Sequence, residues 1–167
     1  MTLILGLDPG TAATGYGLVK EDARGDLQLV TFGVLKTPAG MPEAERLVLL
    51  HAQLKEILLL HRPDACAVEK LFFQKNVRTA IAVGQARGVI LMSLAQAGLK
   101  VGEYTPNEVK QAVTGYGSAE KKQVQEMVRI LLKLEEQPRP DDAADALAVA
   151  ITHLHSMRPG WDKQDNV

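Results

Sequence analysis

The chain has 167 residues, 46% of them hydrophobic and 23% charged, with a formal net charge of −1. That composition suits one compact domain with one core, and the single cysteine, Cys66, excludes an internal disulfide and most cysteine-based metal sites. No segment has the pattern of a signal peptide or the roughly 18 apolar residues of a membrane span. We therefore expect a cytoplasmic protein without membrane contact, with residues 1–157 as its domain and 158–167 as a loose tail.

The N-terminal part of the chain predicts three consecutive strands. A short apolar run over 3–8 ends at Asp8, where Pro9 and Gly10 form a turn. Runs over 14–20 and 27–35 follow with a short polar connection, which predicts an antiparallel meander. Gly15 and Gly17 suit a bulge or a close approach of another backbone. The chain has no G-x-x-x-x-G-K-[ST] sequence, which argues against a P-loop nucleotide site.

Strands and helices alternate in the rest of the chain. Apolar residues at helical spacing predict a helix from Pro42 to about His61, and a short buried strand over 64–70 follows. Because a helix precedes it, this strand should run parallel to an earlier one. The remaining predicted elements are a helix over 77–97, a strand over 100–104, a helix over 106–113 capped by Thr105, a helix to about 134 capped by Ser118, and a buried last helix with Asp141 as its N-cap.

Carboxylates stand at the ends of several of these elements. Asp8 and Glu69 end two strands predicted to be parallel, so both lie at the same edge of the sheet. Asp142 and Asp145 are three apart and share one face of the last helix. Like charges so close together require a divalent metal, and hard oxygen ligands favour Mg²⁺ or Mn²⁺. Two such ions would form the clamp used in phosphodiester hydrolysis, although each aspartate taken singly can also be a structural cap.

Basic residues predominate in the middle of the chain. From Lys70 to Gly102 there is no Asp or Glu, whereas five Lys and Arg residues fall there. A locally basic surface fits a polyanion such as DNA, and a solvated face that lacks acids is the alternative. From the charge pattern alone, the face of Lys122, Arg129 and Lys133 would be chosen as the DNA surface.

Small residues mark one face of the helix over 77–97. Gly84 and Gly88 are four apart, so another backbone can approach that face closely. Packing within the chain and packing on a second subunit both remain open at this point.

Six segments in order resemble the RuvC family of bacterial Holliday-junction resolvases. They are Leu5-Gly-Leu-Asp-Pro-Gly-Thr, Thr14-Gly-Tyr-Gly, the Glu69 strand with the Phe72 loop, Gly84-Gln-Ala-Arg-Gly88, Gly117-Ser-Ala-Glu-Lys121 and Asp142-Ala-Ala-Asp-Ala-Leu. The resemblance runs from about Leu3 to His155. It implies an α/β, ribonuclease-H-like fold with a five-stranded mixed sheet, in which strands 1–3 are the meander and strands 4 and 5 are parallel, flanked by helices. It also implies a homodimer that resolves four-way DNA by paired symmetric nicks in recombination and repair.

The same resemblance assigns residues and partners. Asp8, Glu69, Asp142 and Asp145 would be the catalytic metal ligands for two Mg²⁺ per active site, with Mn²⁺ as a substitute. Asp141 is an extra acid beside the family pair that could compete with Asp142, and we assign it as the helix cap. The branch-migration proteins RuvA and RuvB are expected partners. By this resemblance Phe72, Lys110 and Lys121 are expected DNA contacts. To these we add Phe73 beside Phe72, Lys75 and Arg78 from the basic stretch, and Lys122 beside Lys121. The small residues Gly84 and Gly88 are the expected dimer interface.

Other classes share parts of this pattern. An ATP-handling protein of the actin, chaperone or sugar-kinase type also carries Asp-x-Gly-Thr, but it needs two subdomains and a second phosphate loop. A RuvC-like nuclease of ribosomal RNA maturation is closer, and the Phe72 loop and the Gly117–Lys121 segment argue against it. A junction-binding scaffold without activity is disfavoured by the intact acidic set.

Overall fold

The structure is a computed structural model that describes residues 1–10, 12–70 and 77–160. Its strands are β1 (Thr2–Asp8), β2 (Ala13–Glu21), β3 (Leu27–Lys36), β4 (Ala65–Glu69) and β5 (Val101–Tyr104). Its helices are α1 (Glu43–His61), α2 (Val77–Gln96), α3 (Pro106–Thr114), α4 (Lys121–Leu131) and α5 (Asp141–Ser156). Each strand and helix predicted from the sequence is present in the described residues, with bounds that differ by a few positions.

The five strands form one mixed sheet in the order β3-β2-β1-β4-β5. β1, β2 and β3 are an antiparallel meander, with a register shift in β2 between Leu18 and Val19. β4 lies parallel to β1, and β5 lies parallel to β4. The predicted fold class is confirmed, because the chain reaches both parallel strands through helices, as such connections require.

Each face of the sheet carries its own hydrophobic core. Alternate residues of β1 point to opposite faces, so Ile4 lies in the core with α3, α4 and α5, and Leu5 lies in the core with α1 and α2. Helix α5 is apolar almost all round, and ten of its residues are buried. The last helix is therefore the central element of one layer, as its composition predicts.

Two strand glycines let α5 lie directly on the sheet. A side-chain carbon at Gly6 would overlap the carbonyl oxygen of Ala146, and one at Gly15 would overlap that of Asp142. Only a residue without a side chain fits where two backbones meet so closely. The close backbone approach expected at Gly15 is confirmed, and it brings the first turn of α5 against β2.

Two predicted features of α4 are wrong. Ser118 does not cap it, because Ala119 is buried in a turn and the helix begins only at Lys121, where the Gln123 side chain accepts a 2.7 Å hydrogen bond from the amide of Glu120. The helix ends at Leu131, not near residue 134, because Lys133 adopts the left-handed conformation with φ of 54°. The backbone then turns back, and Leu134 N donates to Arg129 O at 2.9 Å.

The start of α5 also differs from its prediction. Asp141 is the first residue of the helix and not its N-cap, since Pro140 precedes the helix and no side chain caps it. In the first turn a carboxylate is still favourable, because the helix dipole is positive there. Asp141 is thereby released for contacts with other elements.

Helix α2 departs from the expectation that no segment approaches a membrane span. By length and a mean hydropathy of 1.2, it is the one helix among the described residues that could cross a membrane. Its valines and isoleucines raise the hydropathy, while Gly, Gln and Arg residues keep every continuous apolar run short. It packs against α1, and Arg87 forms a 3.0 Å ion pair with Glu103 of β5.

Two further expectations concern Cys66 and the C-terminus. Cys66 is fully buried in β4, and burial raises the pKa of its thiol to about 12, as expected of a structural cysteine. In the segment expected to be a loose tail, Arg158 binds Glu21 and donates to Gly25 O at 3.2 Å. Residues 161–167 of that segment lie outside the described residues.

Candidate active site

Asp8 and Glu69 end neighbouring parallel strands. Leu7 of β1 pairs with Val68 of β4, so the next residue on each strand is one of the two acids. Both side chains are partly buried, and each carboxyl group influences the pKa of the other. The predicted convergence at one sheet edge is therefore present in the structure.

Helix α5 adds two more acids at the same place. Asp8 pairs across the sheet with Gly15, and Gly15 lies against the backbone carbonyl of Asp142. Asp145 follows one turn later on the same face of the helix and is also partly buried. The close packing of α5 on Gly15 thus places the acids of the helix near the acids of the strands.

Electrostatics confirm that the acids share one environment. Burial raises the pKa of Asp8 most, the charge of Glu69 comes next, and the value reaches about 8. Asp145 and Asp142 act in the same direction on that carboxyl. Burial, followed by the charge of Asp145, also raises the pKa of Glu69. Without a counter-ion, burial and the neighbouring acids therefore favour the protonated form of the Asp8 carboxyl group.

The donor chemistry of this cluster fits a hard divalent cation. All its side chains are carboxylates, and the sequence around them offers no His or Cys ligand. In the part of the chain that the structure describes, no three His, Cys, Asp or Glu side chains are arranged closely enough to hold an ion. In this structure the Asp145 carboxylate is paired with a lysine, since Lys121 Nζ lies 3.4 Å from Asp145 Oδ2.

Two lysines lie at the rim of the acidic site. Lys110 of α3 and Lys121 of α4 line a cleft of about 260 Å³ together with Glu69 and Asp145. The capping box predicted at Thr105 is present and fixes the start of α3, with Glu108 N donating to Thr105 Oγ1 at 3.1 Å. These are the lysines that the family resemblance selects.

The alternative basic face on α4 is largely neutralised. Arg129 donates to both carboxylate oxygens of Glu126, and Lys133 Nζ lies 3.3 Å from Asp26. Both cations are therefore engaged by acids of this chain. The structure thus argues against the Lys122–Arg129–Lys133 face as the DNA surface.

The other predicted DNA contacts divide into two groups. Arg78 is exposed in the first turn of α2, and Lys122 is exposed beside Lys121 at the start of α4. Phe72, Phe73 and Lys75 lie outside the described residues. Their roles stay predictions.

The predicted interface glycines lie on the outer side of α2. A side-chain carbon at Gly84 or Gly88 would meet no atom within 4 Å. On the same line of the helix Val77, Ile81 and Met92 are 77%, 59% and 46% exposed. We call Val77, Ile81, Gly84, Gly88 and Met92 the α2 stripe. Among the residues that the structure describes, none packs on these two glycines.

Sequence reasoning missed the partners of Asp141. Its Oδ2 lies 3.3 Å from Lys121 Nζ, and its Oδ1 accepts a 3.1 Å hydrogen bond from Gln125 Nε2. The sequence offered no clear signal for this contact, because the predicted cap at Ser118 placed Lys121 inside the first turn of the helix and not at its first position.

A mixed five-stranded sheet with acids at the ends of β1 and β4 and on α5 defines a protein of the ribonuclease-H-like fold. A family model described as "Crossover junction endodeoxyribonuclease RuvC" matches residues 4–153. The chain belongs to the RuvC family.

Individual relatives agree along nearly the whole chain. The RuvC of Chloroflexus aggregans is 60% identical over 152 residues, which are 91% of this chain and 92% of the relative. That of Syntrophomonas wolfei is 56% identical over 155 residues, 93% and 90% of the two chains. The structure of Thermus thermophilus RuvC in complex with a Holliday junction substrate matches with a TM-score of 0.87 at 41% identity, covering 92% of this chain and 93% of that one.

Proposed function

We propose that this protein is a structure-selective DNA endonuclease that resolves Holliday junctions by paired symmetric nicks. The observation that carries the proposal is the convergence of Asp8, Glu69, Asp142 and Asp145 in a chain of the RuvC family. A related protein, 41% identical, has been solved on a Holliday junction substrate. Cutting both strands of a junction in this way serves recombination and repair, and it takes place in the cytoplasm, where bacterial DNA lies.

The four carboxylates would hold two Mg²⁺ ions, and Mn²⁺ would substitute. By family resemblance, Asp8 would be shared between the two ions, and its strand β1 lies between β4, which carries Glu69, and β2, against which the first turn of α5 packs. When bound, such a pair activates a water and stabilises the leaving oxygen of a phosphodiester. A bound cation would also offset the mutual repulsion that raises the pKa of Asp8.

The lysines of this chain bind and orient the substrate. Lys110 and Lys121 line the cleft beside Glu69 and Asp145, so their ammonium groups can contact the phosphates on either side of the scissile bond. Arg78 and Lys122 are exposed and extend the contact along the backbone. Lys75 adds to the same grip, and Phe72 with Phe73 would stack on bases opened at the crossover.

The protein would act as a homodimer joined through the α2 stripe. Two nicks related by a two-fold axis require two active sites, and a two-fold dimer supplies both at a fixed distance. The exposed apolar side chains and open glycines of the stripe suit the close packing of a second α2. By family resemblance, RuvA and RuvB would deliver the junction.

A comparison of substrates tests the proposal. Purified protein is incubated with a mobile four-way junction, a linear duplex of the same sequence and an RNA–DNA hybrid, with and without Mg²⁺. We expect symmetric nicks in the junction alone, and only with Mg²⁺. Cleavage of the hybrid in preference to the junction, or cleavage at equal rates with a chelator present, would contradict it.

A further inference from the structure

Asp141 is an acid that the four-carboxylate site does not use. It is the first residue of α5, directly before Asp142, and its side chain is 63% exposed. Its two oxygens both contact α4. One lies 3.3 Å from Lys121 Nζ, and the other accepts a hydrogen bond from Gln125 Nε2 at 3.1 Å.

These contacts connect α5 to one turn of α4. Lys121 and Gln125 are four residues apart and therefore share one helix face, so a single carboxylate can reach both. Gln125 fixes the orientation of the Asp141 carboxylate, which leaves the other oxygen directed at the ammonium group. Asp141 is thus held in a defined position although it is exposed.

Lys121 contacts two aspartates, of which only one belongs to the four-carboxylate site. Its ammonium group lies 3.3 Å from Asp141 and 3.4 Å from Asp145, which is one of the four site carboxylates. A divalent cation on Asp145 would repel the ammonium group, so the second contact would be lost when the site is loaded. Asp141 is not one of the four carboxylates assigned to the ion, so its contact with Lys121 can persist when the site is loaded.

We infer that Asp141 is a positioning residue for Lys121, and this inference rests on the proposed function of the site. It keeps the ammonium group at the rim of the cleft when Asp145 is given over to the metal, and there it can bind a phosphate of the scissile strand. Lys121 also begins α4, where the helix dipole disfavours a cation, so a dedicated acid has a reason to be present.

The position of Lys121 can be measured without catalysis. In protein labelled with ¹⁵N-lysine, an ammonium group held in an ion pair gives a resolved NMR signal, assigned by its absence in Lys121→Ala. We expect the Lys121 signal to persist when Mg²⁺ saturates the wild-type protein and to be lost on Mg²⁺ addition in Asp141→Asn. Loss of the signal in the wild type, or its persistence in Asp141→Asn, would overturn the inference.

A cleavage assay at saturating junction and Mg²⁺ provides the second readout. Exposed ion pairs are weak, so we expect Asp141→Asn to cleave about two- to fivefold more slowly. Asp141→Glu should retain most of the rate because it keeps the charge. Glu136→Gln removes one exposed acid from the α4–α5 connection and is the matched control, with an unchanged rate.

The outcomes separate this inference from the proposed function. If the wild type cleaves junctions and Asp141→Asn matches Glu136→Gln, the positioning role is wrong and the nuclease assignment stands. If the wild type does not cleave junctions, the proposed function fails, and the NMR measurement still decides whether Asp141 holds Lys121 in the presence of Mg²⁺.

Discussion

Two pairs of glycines occupy opposite situations in this protein. Gly6 and Gly15 lie in the strands under α5, where an added side-chain carbon would overlap a backbone carbonyl oxygen. Gly84 and Gly88 lie on α2, where an added carbon would meet no atom within 4 Å. All four look alike in the sequence, as small residues that permit a close approach.

The two pairs differ in whether another backbone of this chain contacts them. Under α5 the close approach occurs within the chain, and it brings Asp142 beside the strand that carries Asp8. On α2 the glycines stand among exposed apolar side chains with nothing of this chain upon them in the described residues. One pair therefore helps to build the acidic site, whereas the other contacts nothing in the described part of the chain and is where we propose that a second subunit packs.

The largest expected effect tests what the α5 side of the molecule is for. Because Asp8 would be shared between the two ions, Asp8→Asn should lower junction cleavage at least a thousandfold, equivalent to about 4 kcal/mol of transition-state stabilisation. Gel-shift assays without divalent metal should show junction binding within about twofold of the wild type. Appreciable Mg²⁺-dependent nicking by this variant would refute its place at the centre of the site.

The same substitution to alanine at both kinds of glycine tests the comparison directly. Gly15→Ala should destabilise the fold by about 3 kcal/mol and reduce cleavage, because the methyl group displaces the backbone of Asp142. Gly84→Ala should leave the monomer's stability unchanged or raise it by about 0.5–1 kcal/mol, as usual for an exposed helix position. Urea unfolding of both variants measures the two values, and equal losses would show that α2 is packed as tightly as α5.

A bulky charge on the α2 stripe tests its proposed partner. Gly88→Glu should convert a dimer into a monomer in sedimentation, since the charge would be buried against a second α2. Its helix content should remain that of the wild type, because the space around Gly88 is open within the chain. A dimer that survives this change would place the interface elsewhere.

The last test is the pH dependence of stability that arises from Asp8. The pKa of Asp8 rises from 3.8 to about 8, chiefly through burial, so the folded metal-free protein favours the protonated carboxyl. Below the ordinary pKa of 3.8 the carboxyl is protonated in both states and does not affect the free energy of unfolding. As the pH rises from there towards 8, only the unfolded state ionises readily, so the free energy of unfolding decreases, and the loss is complete above about pH 8. Asp8→Asn removes this cost, so the melting temperature of metal-free Asp8→Asn should exceed that of the wild type by more at pH 8.5 than at pH 5. A constant difference would contradict the assigned cause.

Local sequence patterns were sufficient to predict most of the fold. The strands, the Thr105 capping box and the order of the four acids follow from periodicity, turn residues and spacing. The convergence of Asp8 with Glu69 could be predicted because parallel neighbours share one carboxyl edge. Family resemblance added the choice of Lys110 and Lys121, which charge patterns alone did not favour.

What the sequence did not reveal depended on distant contacts. Asp141 was predicted to be a cap because its partner Lys121 lies 20 positions earlier, with a turn and a helix between them. The end of α4 depended on a lysine in the left-handed conformation, which no residue preference would place at Lys133. The outward direction of Gly84 and Gly88 required knowledge of which side of α2 meets the sheet.

Cys66 has a practical consequence for such measurements. It is the single thiol of the chain, and it is fully buried. Its strand, β4, lies between β1 and β5 and ends at Glu69, one of the four acids of the site. A folded molecule should therefore resist alkylating reagents. Only molecules in which β4 has separated from β1 or β5 would react. The rate of Cys66 alkylation therefore reports unfolding at one site, so the stabilities of the glycine and aspartate variants can be compared under native conditions without introducing another cysteine.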